Sequence, residues 1–126
     1  MIRSARLMIA LGALALSSVV ALAQGVGLNG LYTVEGQNPR GNGSYHGELA
    51  IASAGDAYRV VWRVGSQPYE GTGLLRDGKL AVVFRSGQQA GIALYDVRDN
   101  GTLIGTWTTL GGQAVGTETL TPKGRT

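Results

Sequence analysis

Over residues 30–121 apolar and polar side chains alternate with a period of two, and glycine-bearing turns break the alternation at short intervals. Residues that alternate this way stand on opposite faces of a strand, so the pattern points to a half-buried antiparallel sheet. No stretch in this region carries a helical apolar period. Strands are predicted near 30–35, 44–51, 57–64, 69–75, 79–85, 92–98, 102–108 and 114–121. Asp77-Gly78 and Asn100-Gly101 read as two-residue hairpin turns, because both central positions tolerate positive φ. Gly55-Asp56, Gly65 and Gly111-Gly112 mark further turns. Short strands in chain order form a meander. The chain has no cysteine, so no disulfide supports a small core, and closing the sheet removes its unpaired edges. The expected fold is all-β: an eight-stranded antiparallel up-and-down β-barrel.

Residues 1–23 have a different character. Arg3 and Arg6 precede an unbroken apolar and small-residue run from Leu7 to Val20, and Ala21-Leu22-Ala23 places small residues where a signal peptidase reads them. This is the layout of a secretory signal peptide cleaved before Gln24. The run is short for a membrane-spanning helix, and no cysteine follows it to accept a lipid. Cleavage leaves residues 24–126 as one domain, 103 of the 126 residues. Of 11 basic residues nine remain, against eight acidic ones, a formal charge of +1. The remaining cations are scattered singly, which excludes a nucleic-acid footprint.

Alternation also assigns faces. Tyr58, Val60, Trp62 and Val64 share one face and Arg59 and Arg63 the other, so the first set is expected inside. By the same parity Tyr32, Val34, Tyr45, Gly47, Leu49, Ile51, Tyr69, Gly71, Gly73 and Leu75 point inward. Leu80, Val82, Phe84, Leu103, Gly105 and Trp107 complete the wall. Such an interior is expected to be filled by side chains, although an aromatic-lined cup is the alternative. A diffuse repeat aligns Gly71-Thr72-Gly73-Leu74-Leu75 with Gly116-Thr117-Glu118-Thr119-Leu120. Glycine inside a strand forfeits packing, so its recurrence implies a sharply bent wall or an aromatic ring from a neighbouring strand. The repeat puts Glu118 on the inner face, where, surrounded by tyrosine hydroxyls, it could fix a ligand amine or hydroxyl; the alternative is a place at the barrel rim, satisfied by a tyrosine, an arginine or water.

Catalytic chemistry has little to stand on. His46, the one histidine, is predicted to point outward, and Ser44, Ser66 and Ser86 lack a nucleophile-elbow setting. Asp96, Asp99 and Asn100 beside Gly101 lack the terminal bidentate glutamate of a calcium loop. No enzyme activity, cofactor or metal is expected. Two connections look adaptable. Residues 37–43 include Asn38, Pro39 and Arg40, and residues 86–91 include Gln88 and Gln89.

The ordered set Tyr32-Thr33-Val34, Asn38-Pro39, Tyr58-x-Val60-x-Trp62 and Tyr69-Glu70-Gly71-Thr72-Gly73 resembles a family of small exported proteins of Gram-negative bacteria, often labelled fibronectin-binding. Asp99-Asn100-Gly101-Thr102-Leu103-x-Gly105-Thr106-Trp107 and Gly116-Thr117-Glu118 continue the likeness. The resemblance implies a periplasmic or secreted bacterial β-domain, and the meander is similar to avidin-like and lipocalin-like barrels. A closed barrel offers no long free edge to an extended partner, so a host protein would meet loops or the outer face. The expectation is therefore an exported, non-catalytic binding protein. It would hold a small apolar or aromatic ligand against Tyr32, Tyr45, Trp62, Tyr69 and Trp107, with Glu118 as polar anchor. The alternative is a protein-interaction module, an adhesin or an inhibitor of an envelope enzyme, acting through Asn38, Pro39, Arg40, Gln88 and Gln89.

Overall fold

The computed structural model describes residues 27–124; the leader expected at 1–23 lies outside them. Eight strands follow in chain order: β1 (Gly30–Gln37), β2 (Ser44–Ala54), β3 (Ala57–Val64), β4 (Gln67–Arg76), β5 (Lys79–Ser86), β6 (Gln89–Val97), β7 (Leu103–Thr109) and β8 (Gly116–Pro122). Each pairs antiparallel with the next, and β8 returns to β1, so the meander closes into a barrel. Every strand thus has two neighbours and no edge is left open.

The tight turns follow from glycine placement. Gly55-Asp56, Gly65-Ser66 and Gly87-Gln88 are two-residue hairpins whose first residue has φ of 61–63°. Asp77 (φ 52°) and Gly78 (φ 76°) form the predicted turn with both central residues left-handed. Two expectations are corrected. Asn100-Gly101 is not a two-residue turn: Arg98 N–H donates to the Thr102 carbonyl (2.8 Å), enclosing Asp99, Asn100 and left-handed Gly101 (φ 89°) in a three-residue loop. The 86–91 connection shrinks to Gly87-Gln88, because Gln89 pairs with Ser86 and already belongs to β6.

Connections 38–43, 65–66, 87–88 and 110–115 share one end of the barrel, here called the mouth. The opposite end, the floor, is packed. Leu28, just ahead of β1, is buried, and the Tyr32 hydroxyl donates to its carbonyl oxygen (2.6 Å). Val34, Leu49, Ile51, Val60, Leu80, Val82, Leu103 and Leu120 continue the core in the alternation expected. Leu75 departs from it, being 42% exposed. Pairing of β3 with β4 ends at Tyr58 and Gly73, so Leu75 is flanked only by Leu80 of β5.

Both proposed reasons for in-strand glycine occur. A Cβ on Gly71 would stand 2.5 Å from the Val83 carbonyl oxygen, a backbone approach set by the bent wall. At four other positions a ring adds to the crowding. Gly36, Gly91, Gly105 and Gly116 lie directly opposite Tyr45, Phe84, Tyr95 and Trp107 on the adjacent strand. Each ring covers its glycine; a Cβ on Gly105 would come within 2.6 Å of Tyr95 Cδ1, and one on Gly116 within 2.6 Å of Trp107 Cε2. Gly105→Ala must therefore displace Tyr95 or the Leu94 carbonyl, and overpacking of this kind costs about 1–3 kcal/mol. The expected fall in melting temperature is roughly 5–20 °C for a domain of this size, and thermal denaturation followed by circular dichroism measures it.

Candidate functional site

One row of cross-strand partners organises the upper barrel. Tyr95 of β6 faces Gly105 of β7, which faces Glu118 of β8, which faces Gly36 of β1, which faces Tyr45 of β2. The two glycines beside Glu118 clear the space that the flanking tyrosine rings occupy, and both hydroxyls reach the carboxylate. Tyr45 O–H donates to Glu118 Oε1 (2.7 Å) and Tyr95 O–H to Oε2 (2.6 Å). The Trp62 indole N–H, from β3, donates to Oε2 (3.0 Å). Glu118 is 5% exposed, and the three donors replace the water it has lost.

The same arrangement acts on the tyrosines. Burial first, and then the negative charge of Glu118, pushes the Tyr45 and Tyr95 hydroxyls well above their ordinary 10.0. Ionising either one would place a second negative charge against the carboxylate.

Above this row a cavity of about 420 Å³ opens at the mouth, lined by Asn38, Tyr45, Trp62, Val64, Tyr69, Phe84, Gln89, Ala93, Tyr95, Trp107, Thr109 and Glu118. Its rings meet edge to face: Trp62–Phe84 at 5.6 Å between centroids, Tyr45–Trp107 at 6.2 Å, Tyr69–Phe84 at 6.3 Å and Phe84–Trp107 at 6.4 Å. Interplanar angles of 60–74° set these rings as walls rather than as a stack. The Trp107 Nε1–H is buried and makes no hydrogen bond; it lies near the Tyr45 hydroxyl but outside hydrogen-bond geometry.

The expected site residues divide accordingly. Tyr45, Trp62, Tyr69, Trp107 and Glu118 are brought together around the cavity. Tyr32 is not: it is 1% exposed, below the cavity in the packed floor, with its hydroxyl on Leu28. A wholly filled interior is likewise corrected, since the floor is packed and the mouth is a cup. From the two loops, Asn38 and Gln89 line the cavity, whereas Pro39, Arg40 and Gln88 do not. The 38–43 loop is pinned by Asn38 N–H to the Gly43 carbonyl (2.8 Å) and Asn38 Nδ2 to the Asn42 carbonyl (3.1 Å).

Tyr95, Phe84 and Ala93 also line the cavity; Phe84 was expected in the inner wall but not as a ligand contact, and Tyr95 and Ala93 were missed altogether. The β6 run Ile92-Ala93-Leu94-Tyr95 is apolar on both faces, with Ile92 and Leu94 about half exposed on the outside. Parity alone therefore gave no inner face there. Pairing to Phe84 and Leu80, whose inward face was legible, supplies the missing signal. Among the described residues no group of three or more His, Cys, Asp or Glu comes together to hold a metal ion, and His46 lies exposed. No protein-family model matches the chain, and no curated protein does.

The raised tyrosines define a pH dependence. In the unfolded chain Tyr95 loses its proton near pH 10.0, while in the folded barrel it keeps it to higher pH. Its contribution to stability is thus complete below that value and lost above it. The slope is about 1.4 kcal/mol per pH unit for one such group. Denaturant midpoints should fall steeply above pH 10. Glu118→Gln should lessen that fall without abolishing it, because burial is the larger cause.

Proposed function

We propose that this protein is an exported binding protein of the bacterial envelope or medium that holds a small apolar or aromatic ligand in the mouth of its barrel. The observation that carries the reading is the aromatic cup of about 420 Å³ with a buried carboxylate in its wall. An apolar cleft with a few convergent polar groups is the usual form of a small-molecule site. The buried Trp107 N–H supports it further, since an unpaired buried donor is unfavourable until a ligand acceptor or a water completes it. Export rests on the leader-like residues 1–23 and on the resemblance to small exported proteins. A binding role without catalysis rests on the cup's composition, whose one carboxylate is held by three donors and whose lining, among the described residues, includes no serine, cysteine, histidine or lysine.

The interaction-module reading keeps one observation in its favour. Arg40 is exposed and held at φ 61°, a conformation unusual for a residue with a side chain, at the tip of a pinned loop.

Native mass spectrometry on protein purified from its own host, beside a denatured control, separates the two. The ligand reading expects an added mass that disappears on denaturation, survives exchange of Pro39-Arg40, and is lost in Trp107→Ala. A bare mass in the native spectrum, with partner binding abolished by the Pro39-Arg40 exchange, would instead select the loops.

A further inference from the structure

The charge balance of the cup narrows the chemistry of its occupant. The salt bridges found among the described residues lie outside the barrel: Lys79 with Asp96 (2.5 Å), Arg59 and Arg85 with Glu70 (3.6 and 3.3 Å), and Lys123 with Glu48. Their partners are each about half exposed, where such pairs contribute little. Among the described residues Glu118 is the one charged residue that is buried, and it takes part in none of these pairs. Its donors are two hydroxyls and an indole N–H, all formally neutral. Among the described residues no Lys, Arg or His lines the cavity. The carboxylate is hydrogen-bonded but meets no cationic side chain, and burying a charge without a counter-charge is costly.

The walls suit the missing counter-charge. Trp62, Tyr69, Phe84 and Trp107 surround the same space, set as walls at steep angles to one another. Aromatic rings attract a cation through their quadrupoles, the more strongly the less water remains between them. A cage of rings beside a carboxylate attracts an ammonium group twice over and repels an anion.

We propose that the cup selects an organic ammonium ion, its charged nitrogen caged by the rings near Glu118 and its apolar substituent filling the remaining cavity. This rests on the reading of the mouth as a ligand site and specifies the ligand's charge. Glu118 has two roles here. It ties three strands together through its donors, and it supplies the negative field that selects the cation.

The test uses phenyltrimethylammonium and its neutral isostere tert-butylbenzene, which differ in charge but hardly in shape. The chain has two tryptophans, Trp62 and Trp107, both in the cavity wall, so intrinsic fluorescence reads occupancy directly. The cation should bind about tenfold or more tighter than the isostere, in line with the cation–π range. Glu118→Gln should remove most of that preference, lowering affinity for the cation far more than affinity for tert-butylbenzene. Because Glu118→Gln also disturbs the donor cluster, Tyr69→Leu provides a second variant that keeps an apolar wall but removes one ring. It should weaken the cation more than the isostere. Equal affinities for the two probes would overturn the inference and leave the small-molecule site standing. Response to neither probe, together with a bare mass in the native spectrum, would overturn both.

Discussion

The upper half of this barrel depends on a single carboxylate with no counter-charge. Glu118 enters the interior from β8, and its oxygens accept from Tyr45 on β2, Trp62 on β3 and Tyr95 on β6. These strands stand at different positions around the wall, so one side chain links segments that the backbone ladder connects only through their neighbours. The geometry is possible because Gly105 and Gly36 flank Glu118 in the same row. With a Cβ at either position the tyrosine rings could not lie against the wall and reach inward. A polar cluster of this kind is stabilising only when every member is satisfied, which makes the two glycines as much a part of it as the donors.

That cluster divides the interior. Below it, aliphatic side chains with Tyr32 fill the barrel down to the Leu28 plug. Above it the side chains are rings, and rings pack differently. Edge-to-face partners hold one another at centroid spacings of 5.6–6.4 Å, so the wall is self-supporting and encloses space instead of collapsing into it. The pairing of each of Tyr45, Phe84 and Trp107 with an opposing glycine has the same consequence, since a ring resting on bare backbone leans over the wall and leaves the lumen clear. The 38–43 loop and the start of β6 then contribute Asn38 and Gln89 to the rim. Loop residues first considered for a separate interaction surface thus belong partly to the cup.

Much of this was legible along the chain. Arg59 and Arg63 against Tyr58, Val60, Trp62 and Val64 declared the inner face of β3 without ambiguity, and Glu118 stood out as a charge on an inward position. Tyr95 did not, because Ile92 and Leu94 make the outer face of β6 as apolar as its inner one. Tyr32 shared the parity of the cup residues and was grouped with them. Parity specifies a face but not a height along the barrel axis, and Tyr32 sits at the floor end of β1. Leu75 failed for a related reason: β4 outruns β3, so an inward position at its end faces solvent.

Local sequence, through period-two alternation and glycines at the hairpin corners, determined the number, order and direction of the strands and, outside β6, most of the side chains that face inward, because these depend on backbone geometry within a few residues. Tertiary structure alone decided that Gly36 and Gly105 fall beside Glu118. It also decided that Tyr45, Trp62 and Tyr95 converge on one carboxylate below an open ring-lined cup. Those relations arise from the stagger between strands when the sheet closes. Stagger is set by the packing of all eight strands together, so no single segment of the chain encodes it.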